Sequence, residues 1–79
     1  MREMIREHDR VVLTSPVTEH ALEAGDVGAV VHVYPEGAAY EIEFVTLGGR
    51  TAAVVTVEAS RVRPIRQTEI PHARELVHR

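Results

Sequence analysis

Gly25-Asp26-Val27-Gly28-Ala29-Val30-Val31-His32-Val33-Tyr34-Pro35 is a glycine-punctuated turn feeding a valine-rich strand. After Glu36, Gly37 and Ala38, a second strand begins, Ala39-Tyr40-Glu41-Ile42-Glu43-Phe44-Val45. Pro35-Glu36-Gly37 has turn composition, so the two runs read as a β-hairpin. In the second run Tyr40, Ile42 and Phe44 point one way and Glu41 and Glu43 the other, the period-two pattern of a half-buried strand. The first run is apolar almost throughout, which predicts cover on both faces or a bulge near Gly28.

The same reading extends outward in both directions. Arg10-Val11-Val12-Leu13-Thr14 is a strand ended by Ser15-Pro16, and residues 15–25 form a long connection in which Leu22 is expected to tuck under as a lid. Leu47-Gly48-Gly49-Arg50 is a hairpin turn leading into a strand over residues 51–57, with Ala53, Val55 and Val57 on one face. Glu58-Ala59-Ser60 reads as one helical turn before a last strand, Arg61-Val62-Arg63-Pro64-Ile65, with Pro64 marking an edge. These elements predict an all-β fold, a small five-stranded SH3-like barrel with a closed apolar interior and a short helical turn before the last strand. Residues 1–66 form the barrel unit, which opens with a frayed turn or extended lead-in over residues 1–9. Residues 67–79 form a C-terminal tail, disordered or folded as a short amphipathic helix starting near Pro71.

Composition narrows the function. The chain has 79 residues, enough for one domain, and 44% of them are apolar with only three aromatics, so valine must build most of the core. With no cysteine there is neither a disulfide framework nor a thiolate metal site. The charged N-terminus lacks an apolar signal region, and no run is long enough for a membrane span, so a cytoplasmic location is expected. The formal charge of −3 weighs against a nucleic-acid footprint, which depends on clustered positive charge.

From Asp9 to Pro64 the chain resembles a bacterial family, domain of unknown function 4926. The resemblance runs through Asp9-Arg10-Val11-Val12-Leu13, the Gly25 to Tyr34 block, Tyr40-Glu41-Ile42-Glu43-Phe44-Val45, and Val54 through Pro64. It implies a short SH3-like barrel without known catalysis, usually encoded as a stand-alone protein and in some cases beside another small uncharacterised or toxin-like protein. Gly25 to Val33 is also similar to the turn and strand of a KOW element, but Asp26, Glu36, Glu41 and Glu43 stand where RNA binding would want basic residues.

Candidate chemistry is sparse. His8, His20, His32, His72 and His78 show no ligand spacing, so no metal site and no cofactor are expected; His32 must face solvent or find a partner. Ser15 and Ser60 fall where turns and caps place serine, and a barrel this small leaves no enclosed cavity for a hydrolase. Glu41 and Glu43 read as a solvated strand face, cross-paired with Arg50, Arg61 or Arg63. Arg61, Arg63 and Arg66 are a basic run that either grips an acidic partner or protects an edge strand by charge. Ile70, Ala73, Leu76 and Val77 form an apolar stripe that must fold back on the barrel or meet a partner. The expected function is a non-enzymatic protein-binding module, in a specific version an antitoxin or immunity protein, with a KOW-like nucleic-acid binder as the alternative. Leu22, Arg61, Arg63, Ile70, Ala73, Leu76 and Val77 are the candidate contacts, and the partner is another protein or a second copy of the chain.

Overall fold

β-Branched runs separated by glycine and proline turns produce five strands: β1 (Arg10–Leu13), β2 (Val27–Val33), β3 (Ala39–Val45), β4 (Thr51–Glu58) and β5 (Val62–Pro64). The computed structural model describes residues 4–77. All pairings are antiparallel, in one sheet of order β4-β3-β2-β1-β5. Three 3-10 turns, at Thr18–His20, Pro35–Gly37 and Ala59–Arg61, are the only helical geometry among the described residues. A single core cluster contains Val57 from β4 and Val62 from β5, the two ends of the sheet. The sheet therefore curls onto itself as a small SH3-like barrel. Its hydrogen-bonded ladder stays open, because β4 and β5 do not pair among the described residues, and side chains close the interior, as the sequence pattern predicts.

The predicted alternation in β3 holds: Tyr40, Ile42 and Phe44 are buried, and Glu41 and Glu43 are on the other face. Val30 and Ile42, paired across β2 and β3, are fully buried at the centre of the core. Gly28 lies beside them under a tight constraint. A Cβ there would sit 2.5 Å from Ile42 Cγ2 and 2.9 Å from both Phe44 Cε1 and the Glu43 carbonyl oxygen, so only glycine fits.

The bulge expected near Gly28 falls instead at Val31, where the β2–β3 register shifts between Val30 and His32. Gly28 pairs in line with Val11. Beyond the bulge His32 is exposed, its ring 4.6 Å from that of Tyr34 in an edge-to-face arrangement. Nor is β2 covered on both faces, since Val27 and Val31 are 47% and 41% exposed.

The chain on either side of the sheet is tied to it by polar bonds. Residues 4–9 are irregular, with a turn at residues 7–8, and the His8 N–H donates to the Val30 carbonyl while the Val30 N–H donates to that of Asp9. Residues 66–77 contain no helix, contrary to the helical reading of the apolar stripe: a turn at residues 67–68 is followed by irregular chain. Helical periodicity alone cannot hold so short a segment, because isolated helices of this length are marginal in water. Long-range polar contacts hold it instead.

Candidate functional site

Three reverse turns share one construction. Arg6 and Asp9, Glu23 and Asp26, and Arg66 and Glu69 each stand three residues apart. In each pair the later N–H donates to the earlier carbonyl, and the earlier N–H donates to the later carboxylate. An acidic side chain thus closes each turn from both directions.

Two of those carboxylates receive an arginine as well. Arg74 Nε donates to Asp26 Oδ1 at 2.9 Å and its Nη2 to Asp26 Oδ2 at 2.5 Å, while Nη2 also reaches the Ala21 carbonyl at 3.0 Å. Glu23 adds an ion pair at 3.6 Å. The tail is therefore fastened to the end of the residue 15–26 connection, 48 positions upstream. Burial acts to raise the Asp26 pKa, but the Arg74 fork and the Glu23 N–H, with Arg74 and His72 charge in support, hold it below its usual value. On the neighbouring turn Arg63 grips Glu69 with a second fork, at 2.6 and 3.1 Å. That fork, followed by the Arg66 N–H, brings the Glu69 pKa down to about 2.

The connection itself is pinned from inside. Val17 and Leu22 exchange both main-chain hydrogen bonds around the Thr18–His20 turn, and both side chains are buried. Arg61 closes the other end, its Nε donating to Ser15 Oγ at 2.8 Å and its Nη2 to the Pro16 carbonyl. Ser15 thus serves as an acceptor for a structural arginine.

This geometry redistributes the candidate contacts. Leu22, at 4% exposure, is the lid expected of it but is turned inward and is not on the surface. Arg61 and Arg63 are committed to internal partners, and the expected pairing of either with Glu41 or Glu43 does not occur. Glu43 accepts instead from Thr51 Oγ1. Within the tail stripe, Leu76 is half-buried against the core while Ile70, Ala73 and Val77 stay exposed. The stripe therefore does not act as one face. His78 lies outside the described residues.

Sequence reasoning missed Arg74, Asp26 and Glu69. No spacing pattern links Arg74 to Asp26, and the glutamate and arginine that meet across the tail turn sit among many similar charges. Two open depressions share Pro64 and Ile65: one of about 160 Å³ beside Arg63 and Arg66, the other of about 360 Å³ beside His8, Asp9 and Arg10. In the second, His8 holds a left-handed backbone, φ 76°, at the third position of the Arg6–Asp9 turn. Among the described residues no three His, Cys, Asp or Glu side chains gather as a metal site, and no helix is long and apolar enough to cross a membrane.

The outward side of the sheet carries aliphatic groups. Val54 is 48% exposed and pairs across from Glu43; Val45, two residues on from Glu43 in β3, is 49% exposed. Val27, two residues before the Ala29–Glu43 pair on β2, is equally open, and Leu47 in the following turn is 91% exposed. Four aliphatic side chains thus occupy three adjacent strands and the turn beside them.

No curated protein and no solved structure matches this chain. A family model does, that of a domain of unknown function (DUF4926), over residues 7–64, covering all five strands and stopping before the tail. The chain therefore belongs to the DUF4926 family.

Proposed function

We propose that the protein is a non-catalytic binding module that recognises another protein through the outward side of its sheet. The observation that carries this reading is the group of exposed aliphatics, Val27, Val45, Val54 and Leu47, on adjacent strands of a domain whose interior is already filled by Val30, Ile42 and their neighbours. Exposed aliphatic groups that adjoin one another gain free energy when a partner covers them. Ile70, at 88% exposure, is a further exposed aliphatic side chain, on the tail.

Engagement of Arg61 and Arg63 within the fold favours this reading over KOW-like nucleic-acid binding, since the two arginines that would meet phosphate already have partners. A cytoplasmic antitoxin or immunity protein is the specific form suggested by the occasional toxin-like neighbours of the family. The test is affinity capture from the native host with mass spectrometry, comparing the parent with Val45→Lys/Leu47→Lys. One dominant partner that the double variant loses supports the reading. A retained partner, or salt-sensitive retention on RNA that weakens in Arg61→Ala/Arg63→Ala, counts against it.

A further inference from the structure

We infer that β4 pairs with β4 of a second copy, antiparallel and about a two-fold axis at Val54. The inference rests on the binding-module reading only in that it names one partner, and it is carried by a difference between the two edges of the sheet. β5 is three residues long, follows Arg61, carries Arg63 and ends in Pro64, the devices that keep an edge from pairing. β4 is eight residues long, Thr51-Ala52-Ala53-Val54-Val55-Thr56-Val57-Glu58, and holds no proline, lysine or arginine. It bonds to β3 on one side. Among the described residues its other side has no main-chain partner, leaving outward N–H and C=O groups to template another strand.

Charge selects the orientation and the register. With the axis at Val54, antiparallel pairing brings Val54 against its own copy and Arg50 of each chain beside Glu58 of the other. Both Arg50 and Glu58 are exposed, and neither forms an ion pair within the described residues. Parallel pairing would set Arg50 against Arg50 and Glu58 against Glu58, which is unfavourable. The β3–β4 register shifts once, at Ala52 opposite the Phe44–Val45 step, so residues 53–55 form the regular centre of the seam and the two Arg50–Glu58 contacts lie beyond the irregular step at either end. Exposed Val54 and Val45 flank the seam and give it an apolar side. One strand edge buries less area than a standard interface, so a micromolar dimer is expected.

Sedimentation equilibrium of the full chain at micromolar to millimolar concentration tests this, with circular dichroism verifying the fold of each variant. The parent is expected to form a dimer. Val54→Lys, which sets two like charges on the axis, should weaken it by roughly tenfold or more, while Val31→Lys, equally exposed on the central strand β2, should leave it unchanged. Glu58→Arg should weaken the dimer several-fold and Arg50→Glu/Glu58→Arg should restore it, a rescue that general destabilisation cannot mimic. Amide exchange should slow with concentration in β4 and not in β5. A parent that stays monomeric throughout, or a dimer indifferent to Val54→Lys and to the charge exchange, overturns the self-pairing; either result leaves the wider binding reading to its own capture experiment.

Discussion

Replacing Gly28 with alanine should be among the most damaging single-methyl changes this domain can suffer. The added carbon would overlap Ile42 Cγ2 at 2.5 Å, and ordinary carbon–carbon contact begins nearer ~3.5 Å. Neither neighbour can retreat easily, because Ile42 is fully buried and the third contact, the Glu43 carbonyl at 2.9 Å, belongs to the backbone of β3. Overpacking of this kind costs about 2–3 kcal/mol, after allowing for the small benefit alanine brings by restricting the unfolded chain. A domain of this length has roughly 4–12 kcal/mol in all, so the variant should melt roughly 10–20 °C below the parent. Urea and thermal unfolding followed by circular dichroism measure it. Ile42→Ala removes one of the three overlaps. Combined with Gly28→Ala, its cost should therefore fall short of the sum of the two single changes by about 1 kcal/mol or more. Gly48→Ala is the comparison: nothing lies closer than Thr46 Oγ1 at 3.8 Å, and it should be neutral or stabilising by up to about 1 kcal/mol. If Gly28→Ala unfolds within about 0.5 kcal/mol of the parent, or the double variant is strictly additive, the reasoning from close approach fails.

The tail supplies the remaining predictions. Arg74→Ala strips Asp26 and the Ala21 carbonyl of their shared donor and should destabilise the chain by about 1–2 kcal/mol, while amides of residues 18–24 exchange faster; unchanged exchange in that loop would show that the tail does not fasten it. Leu76→Ala should lower the melting temperature measurably, whereas Ile70→Ala should stay within about 0.5 kcal/mol of the parent by the same assay. Asp26 and Glu69 both titrate lower in the folded chain than in the unfolded one, so the folded state binds fewer protons at acid pH. The Glu69 stabilisation is complete above its ordinary value of 4.5 and is lost as pH falls toward about 2, and that of Asp26 is lost as pH falls below its ordinary value of 3.8, so unfolding free energy should decline with acidification. Carboxyl carbon NMR titration should place Glu69 near 2 in the parent and return it toward 4.5 in Arg63→Gln.

The strands were legible in the sequence because their cause is local. Period two in residues 39–45 announces which side chains face inward, and Pro35 with Gly37, or Gly48 with Gly49, announces where the chain reverses. The position of the bulge was not legible, since glycine at 28 is demanded by what crosses above it rather than by an extra residue in the ladder. The tail misled for a related reason. Ile70, Ala73, Leu76 and Val77 satisfy a helical spacing, yet their segment is positioned by the Arg63 grip on Glu69 and by the Arg74 guanidinium, whose acceptors Ala21 and Asp26 lie before the start of β2. Periodicity within a segment carries no information about a bond to a distant turn. Leu22 was read rightly as a lid, and that same burial withdraws it from the surface proposed for a partner.

The Arg74 fork also gives the first long loop an opening equilibrium of its own. Residues 10–64 contain every strand, yet the Ala21–Asp26 corner is gripped from position 74, outside that span, so release of the fork unfastens the loop without breaking a strand pairing. Such an open form is reached at less cost than global unfolding, which makes this corner the place where limited proteolysis of the native chain should begin.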